Sequence, residues 1–136
     1  MAETKHYIFE THIAVRDYEI DSQGIVNNAN YLHYLEMTRH EFCTARGTSF
    51  QDMARMGMDP VVRSIKIDYH NPLRMGDMMR SCLNLTRKGP RFHFTQHIFR
   101  ESDNTLAAAA EVTVVCLENG RLSRGDRMAS LFSDLL

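Results

Sequence analysis

Residues 29–46 read ANYLHYLEMTRHEFCTAR, and they carry a helical period. Tyr31, Tyr34, Leu35, Thr38, Phe42 and Ala45 recur three or four residues apart and share one face. His33, Glu36, Arg39, His40 and Arg46 fall largely elsewhere. Asn28 fits the N-cap, and Gly47 fits the residue just past the C-terminus, where a left-handed conformation stops a helix. A second short helix is expected over residues 48–57.

Outward from this helix the pattern changes to period two. Before it, residues 7–18 alternate loosely, with Phe9, Ile13 and Val15 against Glu10, His12 and Arg16, which predicts a first strand. After it, from residue 61, Ile65, Ile67 and Tyr69 alternate with Lys66, Asp68 and His70. Leu83 and Leu85 alternate with Cys82, Asn84 and Thr86. Phe92, Phe94, Gln96 and Ile98 oppose His93, Thr95, His97 and Phe99. Residues 106–117 predict a long, mostly apolar strand that includes the small residues Ala107 to Ala110. Asn71-Pro72, Gly89-Pro90, Asp103-Asn104 and Asn119-Gly120 are turn signals between these segments. Residues 125–136 are ambiguous, with a helical tail as one reading. An antiparallel sheet that buries one face needs a cover, and the single long helix is the one large candidate. The expected architecture is therefore α+β, with the sheet curled around one central helix.

A chain of 136 residues is about one domain's worth, and residues 1–136 are read as a single domain. Apolar residues make up 43% and charged residues 24%, the balance of a globular protein with an ordinary core. The net charge of −1 leaves no basic surplus that would point to nucleic acid. Cys43, Cys82 and Cys116 are widely spaced and form no CxxC pair, so a reducing compartment and thiols used as small apolar fillers are expected. The opening MAETKHYIFE has no apolar stretch of the kind a signal peptide carries. The longest apolar run, Leu106 to Leu117, is broken by Glu111 and Thr113 and is too short to span a bilayer as a helix. A cytoplasmic protein without membrane insertion is the expectation.

Residues 17–36, DYEIDSQGIVNNANYLHYLE, hold the main candidate chemistry. Asp21 sits in the loop between the first strand and the helix, and Gly24 permits a positive φ or a close backbone approach. The start of a helix offers unpaired N–H groups and partial positive charge. Such donors stabilise an oxyanion developing on a carbonyl, and a carboxylate held nearby can attack that carbonyl or activate water. The competing reading is ordinary turn chemistry, in which Asp and Gly simply shape the entry to a helix.

Asp21-Ser22-Gln23-Gly24-Ile25-Val26, then Asn27-Asn28-Ala29-Asn30-Tyr31-Leu32 and Tyr34-Leu35-Glu36, resembles the signature of the 4-hydroxybenzoyl-CoA thioesterase family of hotdog proteins. The Val26-Asn27-Asn28 portion is also similar to the plant acyl-ACP thioesterase version. Tyr69-His70-Asn71-Pro72 followed by Gly76-Asp77 resembles a strand-turn-strand feature of the same fold. With the order of strands, the resemblance covers about residues 6–118.

The resemblance implies a hotdog fold and hydrolysis of an acyl-thioester, on coenzyme A or acyl carrier protein. It implies no cofactor. Asp21 matches the catalytic carboxylate, as nucleophile or general base. Asn28 matches the position whose backbone N–H polarises the thioester carbonyl. Asn27 is a candidate for added bonds to water or substrate, and Gly24 and Tyr31 for the substrate-binding wall. Arg87, Lys88 and Arg91 fall where relatives bind the phosphates of coenzyme A, although Gly89-Pro90 interrupts the cluster. Relatives join sheets edge to edge with sites at the interface, which implies a homodimer or homotetramer here. A non-hydrolytic acyl-thioester-binding module is an alternative, but no basic helix supports a DNA-binding regulator. A hotdog dehydratase is another, and His33 and His40 lack the Pro-Gly loop of that signature.

Other readings compete for several of these residues. Arg87-Lys88-Gly89-Pro90-Arg91 also reads as a solvated hairpin tip. His93 and His97 would share a strand face roughly 13 Å apart, too far to hold one ion, so no metal site is expected. His33, Glu36 and His40 share a helix face that reads as a polar interface or exposed stripe, with Glu36 or His33 as an alternative secondary acid or base. The nine methionines, including Met53, Met58 and Met79, read as core and interface filler rather than as an acyl pocket.

Overall fold

This structure, a computed structural model, describes residues 6–136. Residues 1–5, half of the stretch read above for a signal peptide, lie outside the described residues. The first strand, β1, spans Phe9–Ala14. A single turn of 3-10 helix at Asp17–Glu19 leads through the Asp21 loop into α1, Asn28–Ala45. A short α2, Phe50–Arg55, starts at Ser49, whose hydroxyl accepts the Asp52 N–H. Then come β2 (Asp59–Tyr69), β3 (Met78–Lys88), β4 (Arg91–Arg100), β5 (Thr105–Glu118) and a stub, β6 (Arg121–Leu122). The C-terminal stretch forms α3, Asp126–Ser130.

The strands pair antiparallel in the order β1-β3-β4-β5-β2, with β6 beside β5. The sheet curls as a half-barrel around α1, as the sequence predicts. Each of the four turn signals falls between strands. Two are two-residue turns: Gly89-Pro90 joins the paired residues Lys88 and Arg91, and Asn119-Gly120 joins the paired residues Glu118 and Arg121.

Two details of α1 correct the sequence reading. Asn27, not Asn28, is the N-cap, because its Oδ1 accepts the Ala29 N–H at 2.9 Å. Asn28 is thus the first helical residue. The buried face also differs: Ala45 is exposed and Arg39 is buried. The helix turns about 100° per residue, so Arg39 adjoins Leu35 and Phe42 on the cylinder while Ala45 lies beyond the packed stripe.

The helix-facing side of β4 presents Phe92, Phe94, Gln96 and Ile98, all fully buried. The core consists of two apolar clusters. One gathers Phe42, Phe92, Phe94 and the tail residue Phe132, which stacks on Phe42 at 5.5 Å. The other gathers Tyr31, Tyr34, Leu35, Leu73 and Ile98 near the start of α1. The residues Thr38, Arg39, Ser81 and Gln96 are buried polar groups, and they staple helix to sheet. Thr38 Oγ1 lies 2.6 Å from Ser81 Oγ, and Gln96 Nε2 donates to the Leu35 carbonyl.

β2 departs from the expected alternation. It is an outer strand, paired among the described residues only with β5, and nearly its whole length is exposed on both faces. Val61, Val62, Ile65 and Tyr69 all stand open to solvent. A long outer strand carrying exposed apolar side chains is a pairing surface unless something covers it.

Candidate active site

The loop before α1 is a miniature hairpin built around Asp21. The Asp21 N–H donates to the Ile25 carbonyl at 2.8 Å, and the Gly24 N–H returns a bond to the Asp21 carbonyl at 3.0 Å. Asp21 Oδ1 accepts the Gln23 N–H at 2.8 Å. Gly24 has φ +79°, and a Cβ built there would meet nothing within 4 Å. The requirement for glycine is therefore conformational rather than one of close approach. The loop is clamped from outside: the Val26 N–H donates to the Leu73 carbonyl at 2.8 Å.

Asp21 lines a cavity of about 420 Å³ together with Asn28, Tyr31, Tyr69, His70 and Asn71. The walls are aromatic. The Tyr31 and Tyr69 rings meet edge to face at 5.2 Å, and Tyr69 donates its hydroxyl to the Asn28 carbonyl at 3.1 Å. The buried Tyr31 hydroxyl accepts the Leu73 N–H at 3.3 Å, and burial raises its pKa. Tyr31 is thus a wall of the cavity anchored to the Leu73 backbone.

The helix start places a backbone donor at the same cavity. Capping by Asn27 uses its side-chain oxygen and consumes the Ala29 N–H. The Asn28 N–H makes no hydrogen bond among the described residues. It is a donor at the positive end of an 18-residue helix, in a residue that lines the cavity with Asp21.

Arg87, Lys88 and Arg91 are not beside this cavity in one chain. Arg91 pairs with Val115 on β5, whereas the cavity residue Tyr69 pairs with Ala108. Seven residues of strand separate those levels, about 23 Å. Nor do the three act as one cluster. Arg87 donates to the Gly89 and Arg124 carbonyls and to Asp126 Oδ1, whereas Lys88 and Arg91 are exposed.

Among the described residues, no group of three or more His, Cys, Asp or Glu side chains is placed to hold a metal ion. Cys43, Cys82 and Cys116 are free and buried. No described helix is long and apolar enough to cross a membrane. Tyr69 joins the cavity without having been marked as a site residue by its own pattern. Its signal was its place in Tyr69-His70-Asn71-Pro72, a segment read for fold alone.

A family model described as the thioesterase-like superfamily matches residues 15–132. The chain belongs to the thioesterase-like superfamily. Its class of chemistry is accordingly thioester hydrolysis. The chain is similar to the long-chain acyl-CoA thioesterase FadM of Escherichia coli, 33% identical over 110 residues, 80% of this chain and 83% of that protein. It is also similar to a chloroplastic acyl-acyl carrier protein thioesterase of Arabidopsis thaliana, 32% identical over 112 residues. That match covers 81% of this chain and only 58% of the longer plant protein. Among solved structures, a hypothetical protein of Aquifex aeolicus superposes with a TM-score of 0.83 at 30% identity, covering 90% of this chain and 98% of its own. The thioesterase-like chain thus has the hotdog fold that its helix-entry motif implied.

Proposed function

We propose that this chain hydrolyses acyl-coenzyme A thioesters in the 420 Å³ cavity at the start of α1. The observation that carries the reading is the meeting on that one cavity of Asp21 and Asn28, whose N–H is uncommitted among the described residues. The thioester carbonyl oxygen points to the Asn28 N–H, where the helix end stabilises the negative charge that develops on it. Asp21 acts on the carbonyl carbon in one of two ways. As a base it takes a proton from water, whose oxygen adds to the carbon. As a nucleophile it forms an acyl-aspartyl anhydride that water then opens. Either route expels the thiolate, which takes up a proton, and releases the free acid.

The acting unit is a dimer formed by antiparallel pairing of β2 with β2 of a second copy, in a reducing, cytoplasmic setting. Pairing about the middle of β2 brings the Val61 level of the second copy beside the Tyr69 end of this one. Val61 shares its level with Val115 and Arg91. The exposed Lys88 and Arg91 of the second copy then lie toward the mouth of this cavity, where they attract the phosphates of coenzyme A. The resemblance of FadM favours coenzyme A over acyl carrier protein as the carrier, because that match spans more of the relative's length.

The test is thiol release from acyl-CoAs and from acyl carrier protein thioesters by the wild-type protein and by Asp21→Asn. Asparagine keeps the acceptor for the Gln23 N–H, so the turn and the melting temperature should persist. Turnover should fall at least ~100-fold, the low end for acid–base catalysis. A folded Asp21→Asn variant with wild-type turnover would remove Asp21 from the chemistry.

A further inference from the structure

A second cavity, of about 240 Å³, opens along the same side of the molecule, between the middle of α1 and the far end of β2. Glu36, Arg39 and His40 line it from the helix, and Phe50, Pro60 and Val62 enclose it. Sequence pattern placed Arg39 away from the packed face, yet it is 5% exposed. Its hydrogen bond is a single donation from Nη1 to the neutral Gln96 Oε1 at 3.0 Å. No described carboxylate forms an ion pair with it, since Glu36, the acid in the cavity wall, turns to His40 Nε2 at 3.4 Å and is more than half exposed. A guanidinium carries five N–H donors. Burying a cation costs part of its solvation, and an incoming anion offsets that cost. Burial lowers the pKa of the group, opposed by the fields of Glu36 and Cys43.

The two cavities are joined by the layout of α1 and β2. Asn28 and Arg39 are eleven positions apart, so they face the same way with about 16 Å between them along the axis. Leu32 lies on that stripe, exposed and apolar. On β2, Tyr69, Ile67 and Ile65 share a face. The register shift between Val62 and Ser64 then brings Val62 and Pro60 to the second cavity instead of Arg63. The side chains that these faces carry between the two cavities, Leu32, Ile65 and Ile67, are therefore apolar, and the second cavity is lined by a buried cation.

We propose that Arg39 is a specificity-determining residue that reads a carboxylate at the far end of the acyl group, so the favoured substrates are mono-thioesters of dicarboxylic acids. The inference rests on the acyl-thioesterase reading above. The thioester occupies the first cavity, the methylene chain follows the apolar path, and the distal carboxylate accepts from Arg39. Glu36, screened by solvent and held by His40, remains at the rim.

The experiment uses a ladder of matched coenzyme A thioesters: succinyl and butyryl, adipoyl and hexanoyl, dodecanedioyl and dodecanoyl. Binding to the Asp21→Asn protein is measured by calorimetry, and hydrolysis by the wild-type protein is followed by thiol release. At the chain length that spans the two cavities, the carboxylate-tipped member should bind about 10- to 100-fold tighter, the range for a charge-assisted contact. Arg39→Met, which removes the charge and keeps most of the stem, should bring that ratio to about one. Arg39→Lys should restore part of it. Equal binding of both members of every pair would overturn the proposal, as would a preference that survives in a folded Arg39→Met protein. Should Arg39→Met not fold, the wild-type ratio across the ladder still decides. Failure of the hydrolysis reading is distinguishable: no thiol is released from any member, while the Arg39-dependent binding difference persists.

Discussion

The Tyr34 hydroxyl donates to Glu19 Oε1 at 2.7 Å, tying the buried centre of α1 to the turn that precedes Asp21. Glu19 is a hub for that turn. Its carboxylate also accepts the Arg16 N–H, and its carbonyl accepts the Asn27 N–H and the Asn30 side-chain amide. Glu19 thus ties the helix start to the turn that leads into the Asp21 loop. Tyr34→Phe should cost about 1.5–3 kcal/mol, the range for a hydrogen bond to a charged acceptor, and should lower turnover without abolishing it. Burial first, and the bond to Glu19 second, raise the Tyr34 pKa above the ordinary phenol value of 10.0. The native state therefore holds this proton where the unfolded chain has lost it. The stabilisation is complete below pH 10.0 and falls as pH rises beyond it. Denaturant melts from pH 8 to pH 11 should show a smaller alkaline loss for Tyr34→Phe than for wild type, and identical slopes would refute the linkage.

The exposed length of β2 predicts assembly. Light scattering at micromolar concentration should give at least a dimer. Replacing Ile65 with Lys places a charge on the exposed strand and should shift the protein toward monomer with loss of turnover. A fully active wild-type monomer would contradict the two-copy site.

Lys88 and Arg91 should behave differently from Arg87. The double change to Ala should raise KM for acyl-CoA by about 3- to 10-fold at low salt, with kcat nearly intact and the effect shrinking as salt screens the charges. Arg87→Ala should instead lower the melting temperature, since it unties the Gly89, Arg124 and Asp126 contacts that anchor the start of α3. If Lys88 and Arg91 leave KM unchanged at low salt, the turn is a solvated tip.

Gly125 caps α3 with φ +82°, and a Cβ there would lie 2.9 Å from Phe92 Cε2 in the core. Gly125→Ala combines left-handed strain with overpacking and should cost about 1–3 kcal/mol, read as a lowered melting temperature. An unchanged melting temperature would mean that the Phe92 ring yields without penalty.

Local pattern by itself determined the main elements. The 3.6-residue period of α1, the two-residue period of β4 and the four turn pairs are properties of neighbouring residues, so they were legible without tertiary information. The Asp21-Gly24 turn and its place before a helix were legible for the same reason, and the resemblance of that segment named the family. Other features depend on what lies across the fold. Asn27 rather than Asn28 caps α1 because the Glu19 carbonyl, reached through the folded turn, holds the Asn27 N–H and fixes the entry angle. The exposure of β2 follows from its place at the end of the strand order, which alternation cannot reveal. Arg87 separated from Lys88 and Arg91 because its partners, Arg124 and Asp126, are distant in sequence. Arg39 gave no local signal because its burial is set by Gln96, 57 residues away on β4, whose side-chain oxygen lies where the helix packs against the sheet. A side chain's period fixes which way it points from its own element, but only the packing of the other elements decides whether it meets water, a partner or a cavity.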